Sequence, residues 1–274
     1  MVYNDNVMAH GAFTRCIQRW DGQFWYDYGS GMSEGYWDDD PSVYGAAIYN
    51  GELYAGGNFQ KADGRFCTTV VRWDGTTWQD TRGGPEPVTS VLRVFDGKLY
   101  AGGLSRSPWK QSFGYWDGAA WTHISVLTGA DPDVTALAEF NGQLVLGGTF
   151  ASPFPRVAFW DGESFTGLGA GLGRTAVFAL QEFQGDLYVG GSFRDVEGQP
   201  IQYFAIWEQV LVGDITGDKL IDLSDLSLVL ASFKTCPGDP AYDDLAGTLA
   251  DDGNDCVNLG DLGVVLANWG KTCE

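Results

Sequence analysis

The chain has 274 residues and carries 36 acidic against 16 basic side chains, for a net charge of −20. Hydrophobic residues at 44% and aromatics at 14% can fill a packed core, so disorder is not the default. The charge excludes binding to nucleic acid or anionic membrane surfaces through basic patches, and no run of eighteen apolar residues exists for membrane insertion.

Met1-Val2-Tyr3-Asn4-Asp5-Asn6 has neither a basic n-region nor an apolar h-region, so no signal peptide is visible. A phrase then begins to repeat. A worn copy, Met8-Ala9-His10-Gly11-Ala12-Phe13, leads to Trp20-Asp21-Gly22 and Trp25. Leu53-Tyr54-Ala55-Gly56-Gly57 leads to Trp73-Asp74-Gly75 and Trp78, and Leu99-Tyr100-Ala101-Gly102-Gly103 to Trp116-Asp117-Gly118 and Trp121. Leu144-Val145-Leu146-Gly147-Gly148 leads to Trp160-Asp161-Gly162 and Phe165, and Leu187-Tyr188-Val189-Gly190-Gly191 closes on Ile206-Trp207-Glu208. The anchor tryptophans at 20, 73, 116, 160 and 207 are spaced by 53, 43, 44 and 47 residues. Such a period means radially arranged or stacked units, none of which buries its apolar face alone.

Each unit reads as four short strands. Val88 to Phe95 is β-branched and ends in an aromatic; Asp96-Gly97 is a type I′ hairpin signal; Lys98 to Ala101 returns. Gly102-Gly103 allows a bend or a close backbone approach. Phe113 to Trp116 is a third strand, Asp117-Gly118 a second hairpin turn, and Ala119 to Ile124 a fourth strand. Asn50-Gly51, Asn141-Gly142 and Gln184-Gly185 stand at the equivalent first turns. The prediction is a mainly β chain with a β-propeller of about five four-stranded blades over residues 1–208. The aromatics flanking the second turn should pair across strands. The worn copy is expected to lack its first strand and the last copy its fourth. With no signal peptide visible, an incomplete reading frame is the expectation.

These units resemble kelch-like repeats of large secreted bacterial proteins, in their Gly-Gly and Trp-Asp-Gly phrases. The resemblance implies architecture and a secreted, extracellular or cell-surface location, and it names no activity. Both fixed hairpins lie at one end of each blade, so the variable connections (58–69, 104–112, 149–155, 192–202 and 29–42) share the other. That end is the expected binding face. Trp37 and Trp109 do not recur and are the candidate ligand-binding aromatics, suited to stacking on a glycan. Phe59, Phe150 and Phe193 recur at fixed spacing and read as core. Asp38-Asp39-Asp40 reads as a solvated turn.

From residue 209 the composition shifts to 12 acidic and 3 basic side chains without arginine, which marks a second domain, 209–274. Asp214, Thr216, Asp218, Asp222 and Asp225 place oxygens at positions 1, 3, 5, 9 and 12 of a loop, and Leu220 adds a backbone carbonyl. That spacing can wrap one chain around Ca2+. Ile221, at position 8, is the apolar residue expected to pair two such loops. Leu223, Leu226, Val229, Leu230 and Phe233 then form one apolar stripe of a helix. A second copy offers Asp252, Asn254, the Cys256 carbonyl, Asn258 and Asp261, followed by Leu262, Val265, Leu266 and Trp269. Its position 1 falls on Ala250, so this site should be weaker.

A loop and exiting helix, given twice, resembles a type I dockerin, a small all-α module with EF-hand-like calcium loops. The resemblance implies calcium-dependent docking to a cohesin-like or other surface protein through loop positions 10 and 11. Here these are Leu223-Ser224 and Leu259-Gly260, in place of the usual small polar pair. The bland alternative is a calcium-held module that only stabilises the C-terminus. Five cysteines (16, 67, 236, 256, 273) are too few for a disulfide scaffold and leave the pairing open.

With only His10 and His123 in the chain, acyl-transfer chemistry has no support. The overall expectation is a secreted, non-catalytic binding and scaffold protein. The alternative is a component of polysaccharide degradation with glycoside hydrolase-type activity on the propeller, which needs only two carboxylates.

Overall fold

Asn50-Gly51, Asp96-Gly97, Asn141-Gly142 and Gln184-Gly185 all lie at positive φ, between 44° and 81°, in the computed structural model. These left-handed pairs are what a type I′ turn requires, and asparagine, aspartate and glycine tolerate them best. The structure describes residues 1–4, 6–13, 15–36, 39–105, 112–124, 127–129, 132–167, 172–173, 176–196, 199–201, 203–207, 215, 220–231 and 259–270. The chain divides into two units, Met1–Gln181 with Tyr188–Ala205, and Glu182–Leu187 with Ile206–Glu274.

The first sheet holds β1 (Val2–Tyr3), β2 (Asn6–His10), β3 (Ile17–Trp20) and β4 (Trp25–Asp27). After β5 (Met32–Ser33), a second sheet is built from β6 (Ser42–Tyr49), β7 (Glu52–Asn58), β10 (Val70–Trp73) and β11 (Trp78–Asp80). Two short strands, β8 (Lys61–Ala62) and β9 (Arg65–Phe66), interrupt it. The third sheet runs β12 (Val88–Phe95), β13 (Lys98–Leu104), β14 (Phe113–Trp116), β15 (Trp121–His123). The fourth runs β16 (Val134–Phe140), β17 (Gln143–Gly148), β18 (Val157–Trp160), β19 (Phe165–Gly167). The last contains β20 (Val177–Phe183), β21 (Asp186–Gly191) and β24 (Phe204–Trp207), with the hairpin β22 (Asp195–Val196) and β23 (Gln199–Pro200) between them. Among the described residues this last sheet has three strands, and the place of a fourth, after Trp207, lies outside them. The first sheet corrects its expectation. A two-residue first strand exists, with Val2 opposite Val7 and Tyr3 opposite Asn6. It is too short to register as a hydrophobic pattern.

Successive sheets pack on one another through their first and second strands: β2 against β6, β6 and β7 against β12, and β12 and β13 against β16. Repeated four-stranded antiparallel meanders packed in series make a propeller-like arrangement. The double glycines explain how the sheets come so close. A Cβ on Gly102 would lie 2.5 Å from Val134 Cγ1 of the next sheet, and one on Gly147 2.5 Å from Val177 Cγ1. The second glycine of each pair faces inward on its own sheet, where Gly57, Gly103, Gly148 and Gly191 lie over the carbonyls of Ser42, Val88, Asp133 and Ala176. The ladder slips by one residue at this place in three sheets, at Val43/Gly45, Thr89/Val91 and Val134/Ala136. Such a bulge increases the local twist.

The second turn differs from its expectation in length. Trp20 faces Trp25, Trp73 faces Trp78, Trp116 faces Trp121 and Trp160 faces Phe165, so four residues form each loop. The expected aromatic pairs form, with ring centroids 5.4, 5.3, 5.9 and 4.6 Å apart. Inside each loop an aspartate closes the turn. Oδ1 of Asp21, Asp74, Asp117 and Asp161 accepts the backbone N–H groups two and three residues on, all at 2.8 or 2.9 Å. Asp-Gly spells a two-residue turn and this four-residue Asx loop equally well.

These hydrogen bonds, foremost the one from the third residue on, hold all four carboxyl groups below the usual aspartate range. A depressed folded pKa adds stability above the unfolded pKa of about 3.9 and loses it as pH falls through the folded value. Acid unfolding followed by tryptophan fluorescence should therefore be less steep in a fourfold Asp→Asn variant than in the parent. Equal acid profiles would show that the four turns contribute nothing to acid sensitivity.

In the second unit α1 (Leu223–Ala231) packs on α2 (Leu259–Ala267). Ile221, Val229 and Val265 are fully buried there, with Ile215, Leu226 and Leu262 packed around them. The apolar stripe expected on α1 is narrower in fact. Leu223 and Leu230 are 71% and 54% exposed, because Leu226 and Val229 are the residues turned toward α2. Leu266 on α2 and Trp269 in the turn after it are likewise exposed, at 53% and 45%.

Candidate ligand-binding face and calcium loop

The meander topology puts the loops between second and third strands, and the connections between sheets, at the end opposite the tight hairpins. At this end the structure adds something the repeats did not announce. The chain leaving one sheet pairs with the loop of the next. Met32 and Ser33 of β5 pair with Ala62 and Lys61 of β8. Thr128 bridges to Ser152, and the Gly173 N–H donates to the Asp195 carbonyl at 3.1 Å. Asp63 ties the first of these junctions. Its Oδ1 accepts the Ser30 N–H at 2.6 Å, and its Oδ2 the Trp78 N–H at 2.8 Å. Gly29 makes room for that carboxylate, at a φ of +61°.

The binding-face candidates Trp37 and Trp109 lie outside the described residues, as does Asp38. Asp39 and Asp40 are exposed. Phe59, Phe150 and Phe193 are fully buried, as their fixed spacing implied, and Phe154 packs against the core beside Gly167. Tyr36 is held by its N–H to Asn58 Oδ1 at 2.7 Å, and burial, then the charge of Glu86, pushes its phenol up. The aromatic that stands out on this face is Phe66, 76% exposed. Lys61 Nζ sits 4.5 Å from the centre of its ring and 2.6 Å from Glu34 Oε1. Sequence reasoning passed over Phe66 because nothing in β9 distinguishes it from a repeat residue.

A cavity of about 290 Å³ opens between the β2–β3 loop and the chain entering β6, lined by Ala12, Phe13, Arg15, Asp40 and Pro41. Arg15 Nε is 3.2 Å from Asp27 Oδ2. The Cys16 thiol donates to the Pro41 carbonyl at 3.1 Å, and burial, then the nearby Asp40, pushes it up to about 11. Burial, then Asp80, pushes Cys67 up to about 12. Both thiols are unpaired and poorly ionised, and such cysteines are inert. Cys236, Cys256 and Cys273 lie outside the described residues. Of the two histidines, His123 ends β15 as expected, and His10 Nδ1 donates to the Val43 carbonyl at 3.1 Å.

Of the first calcium loop, Asp214, Thr216 and Asp218 lie outside the described residues, and Leu220, Asp222 and Asp225 lie within them. Asp225 has no exposed surface. Its Oδ1 accepts the Ile215 N–H at 2.7 Å and its Oδ2 the Asp222 N–H at 2.9 Å. Position 12 thus draws the two sides of the loop together. Asp222 Oδ1 accepts the Ser224 N–H at 2.7 Å, which caps the start of α1. Ile221 lies in the core at position 8, and its carbonyl accepts the Gly270 N–H at 2.9 Å. This donor set of carboxylate and carbonyl oxygens fits a hard cation such as Ca2+ in chemistry. Leu223 is exposed and Ser224 half-buried. Of the second loop, Asp252, Asn254, Cys256 and Asn258 fall outside the described residues. Leu259, Gly260 and Asp261 begin α2, and their side chains are not described. Among the described residues no three His, Cys, Asp or Glu side chains gather into a metal-binding group.

No protein-family model and no curated protein matches the sequence. Among solved structures, the chain is similar to the WD40 β-propeller domain of Doa1, at 15% identity and a TM-score of 0.46, over 76% of this chain and 62% of that one. It is also similar to the extracellular domain of BT4673 from B. thetaiotaomicron, at 13% identity and a TM-score of 0.36, over 69% and 30% of the two chains. The chain spans less than two thirds of the length of either.

Proposed function

We propose that this chain is a secreted, non-catalytic binding and scaffold protein. Its propeller-like unit, residues 1–208, presents a ligand-binding loop face. Residues 209–274 form a dockerin-like module that takes Ca2+ and docks a cohesin-like or other surface protein. The observation that carries the docking half is on α1. Leu223 and Leu230 are exposed leucines on one short helix, beside a core formed by Ile221 and Val229. Leu266 on α2 and Trp269 just after it add two more exposed apolar side chains. Exposed large apolar residues grouped on so small a unit mark an interaction surface. For the loop face, Phe66 and the cavity between Phe13 and Asp40 supply an aromatic and charges beside it, a combination suited to a glycan.

If calcium is bound, Asp222, Asp225 and the Leu220 carbonyl would hold it together with Asp214, Thr216 and Asp218. The ion would supply the positive charge that lets several carboxylates share one loop. The test is retention of surface proteins of the producing organism on the immobilised full chain, in calcium and in chelator. A single partner retained in calcium, lost in chelator and lost with a Leu223→Ser/Leu230→Ser variant of unchanged thermal midpoint, is the expected result. Retention that ignores both calcium and the two leucines would overturn the docking reading.

A further inference from the structure

Between the outer edges of the second and third sheets lies a groove of about 690 Å³, running from the β14–β15 hairpin to the connection that follows β11. That size is within the range of small-molecule sites. Its floor is a cross-sheet hydrogen bond, Trp121 Nε1 donating to Thr81 Oγ1 at 3.1 Å, and Thr81 in turn donates to the Val70 carbonyl at 2.7 Å. The Trp121 ring can lie there because residue 83 is glycine; a Cβ would stand 2.5 Å from Cδ1 of the indole. Part of the indole remains open, and Ala119 and Ala120 leave the space around it unfilled.

Arg72, Arg82 and one carboxylate, Asp80, line the groove. Arg72 is neutralised by both Glu52 oxygens, each 2.8 Å from Nη1. Arg82 is exposed and takes part in no ion pair among the described residues. It stands at a left-handed φ of +59°, held there by its own N–H, which donates to Asp80 Oδ1 at 3.0 Å. A non-glycine residue kept in that conformation is a constraint worth explaining by function. His123 lines the same groove.

The repeats supply an internal control. Trp25, Trp78 and Trp121 are equivalent, each opposite the tryptophan that ends a third strand. Arg82 therefore corresponds to Gly29, and His123 to Asp80. The equivalent place between the first and second sheets has glycine and aspartate where this groove has arginine and histidine. The frame recurs and these two side chains do not, so packing does not require them.

We propose that this groove binds an acidic saccharide, a uronate-type sugar whose ring lies on the Trp121 indole and whose carboxylate meets Arg82, with His123 at its edge. The part of the indole left open, flanked by alanines, offers a small apolar surface. An unpaired guanidinium is the group best shaped for a carboxylate. The site shares none of Phe13, Asp40 and Phe66 with the loop-face candidates and does not depend on their ligand or on docking.

The test is titration of the full chain with oligogalacturonate, with neutral oligogalactose and sulfated oligogalactose as comparison arms, read by calorimetry. Arg82→Asn keeps a residue that tolerates the left-handed turn, His123→Gln probes the edge, and Arg65→Gln is an exposed control. Saturable uronate binding, weakened at least tenfold by Arg82→Asn and severalfold by His123→Gln, but unchanged by Arg65→Gln, is the expected outcome. No uronate binding, equal binding of the neutral sugar, tighter binding of the sulfated one, or indifference to Arg82→Asn each overturns it. Thermal midpoints of the variants guard against loss of folding being read as loss of binding.

Discussion

Gly103→Ala is expected to destabilise the propeller-like unit by about 3 kcal/mol, near the upper end of overpacking costs. That corresponds to a drop of roughly 6–12 °C in thermal midpoint for a unit of this size. The new methyl would strike the Val88 carbonyl, a backbone group fixed in the ladder between β12 and β13, and would also approach Pro85 Cβ to 2.7 Å. Gly102→Ala meets a side chain instead, Val134 of the next sheet. It should therefore be milder and should be partly rescued by Val134→Ala, with a coupling of about 0.5–3 kcal/mol in a double-mutant cycle. Gly97→Ala has no neighbour within 4 Å but a φ of +67°, so it should cost only about 1 kcal/mol through backbone strain. Thermal unfolding of the three variants gives the order directly. If Gly97→Ala proved the most damaging, turn conformation and not close packing of the sheets would be the reason for the double glycines.

That order also shows which features were legible in the chain. The double glycines, the first-turn pairs and the aromatic pairs recur, and recurrence turns weak local signals into a fold. Phe59, Phe150 and Phe193 were placed in the core on the same ground and are fully buried. Features that occur once, or depend on a neighbouring sheet, were not legible. Asp63 looks like a loop aspartate until Ser30 and Trp78 are brought to it from both sides. The pairing of β5 with β8 rests on two residues from each strand, too few for a pattern. The Asx loops were hidden because Asp-Gly serves two turn types, and only the register of Trp116 with Trp121 decides between them. On α1, a heptad-like run of leucines suggested one buried stripe. Helical spacing does not say which side of a short helix its partner covers, and here the partner covers Leu226 and Val229. Arg82 and His123 carry no such signal for the opposite reason: they break the repeat, and only the structure brings them to one groove.

Asp225→Ala is expected to destabilise the second unit by about 2–4 kcal/mol even without calcium. It leaves the N–H groups of Ile215 and Asp222 without their acceptor in a buried place. In calcium the difference should grow, because an ion at a hundred times its dissociation constant adds about 2.7 kcal/mol to a folded state that alone binds it. Asp225→Asn separates the two contributions. The amide oxygen can still accept one of the N–H groups, so the calcium-free protein should keep part of its stability, while the lost charge weakens the ion. Amide hydrogen exchange of the full chain, read on peptides covering 220–231 and 259–270, localises the effect. The parent should be better protected in calcium than in chelator, Asp225→Asn should respond weakly, and Asp225→Ala should be unprotected in both. Equal protection of the parent with and without calcium would remove the metal from the proposed function and leave Asp225 as a loop-closing carboxylate. Undiminished calcium protection in Asp225→Ala would instead keep the ion and move its ligands elsewhere.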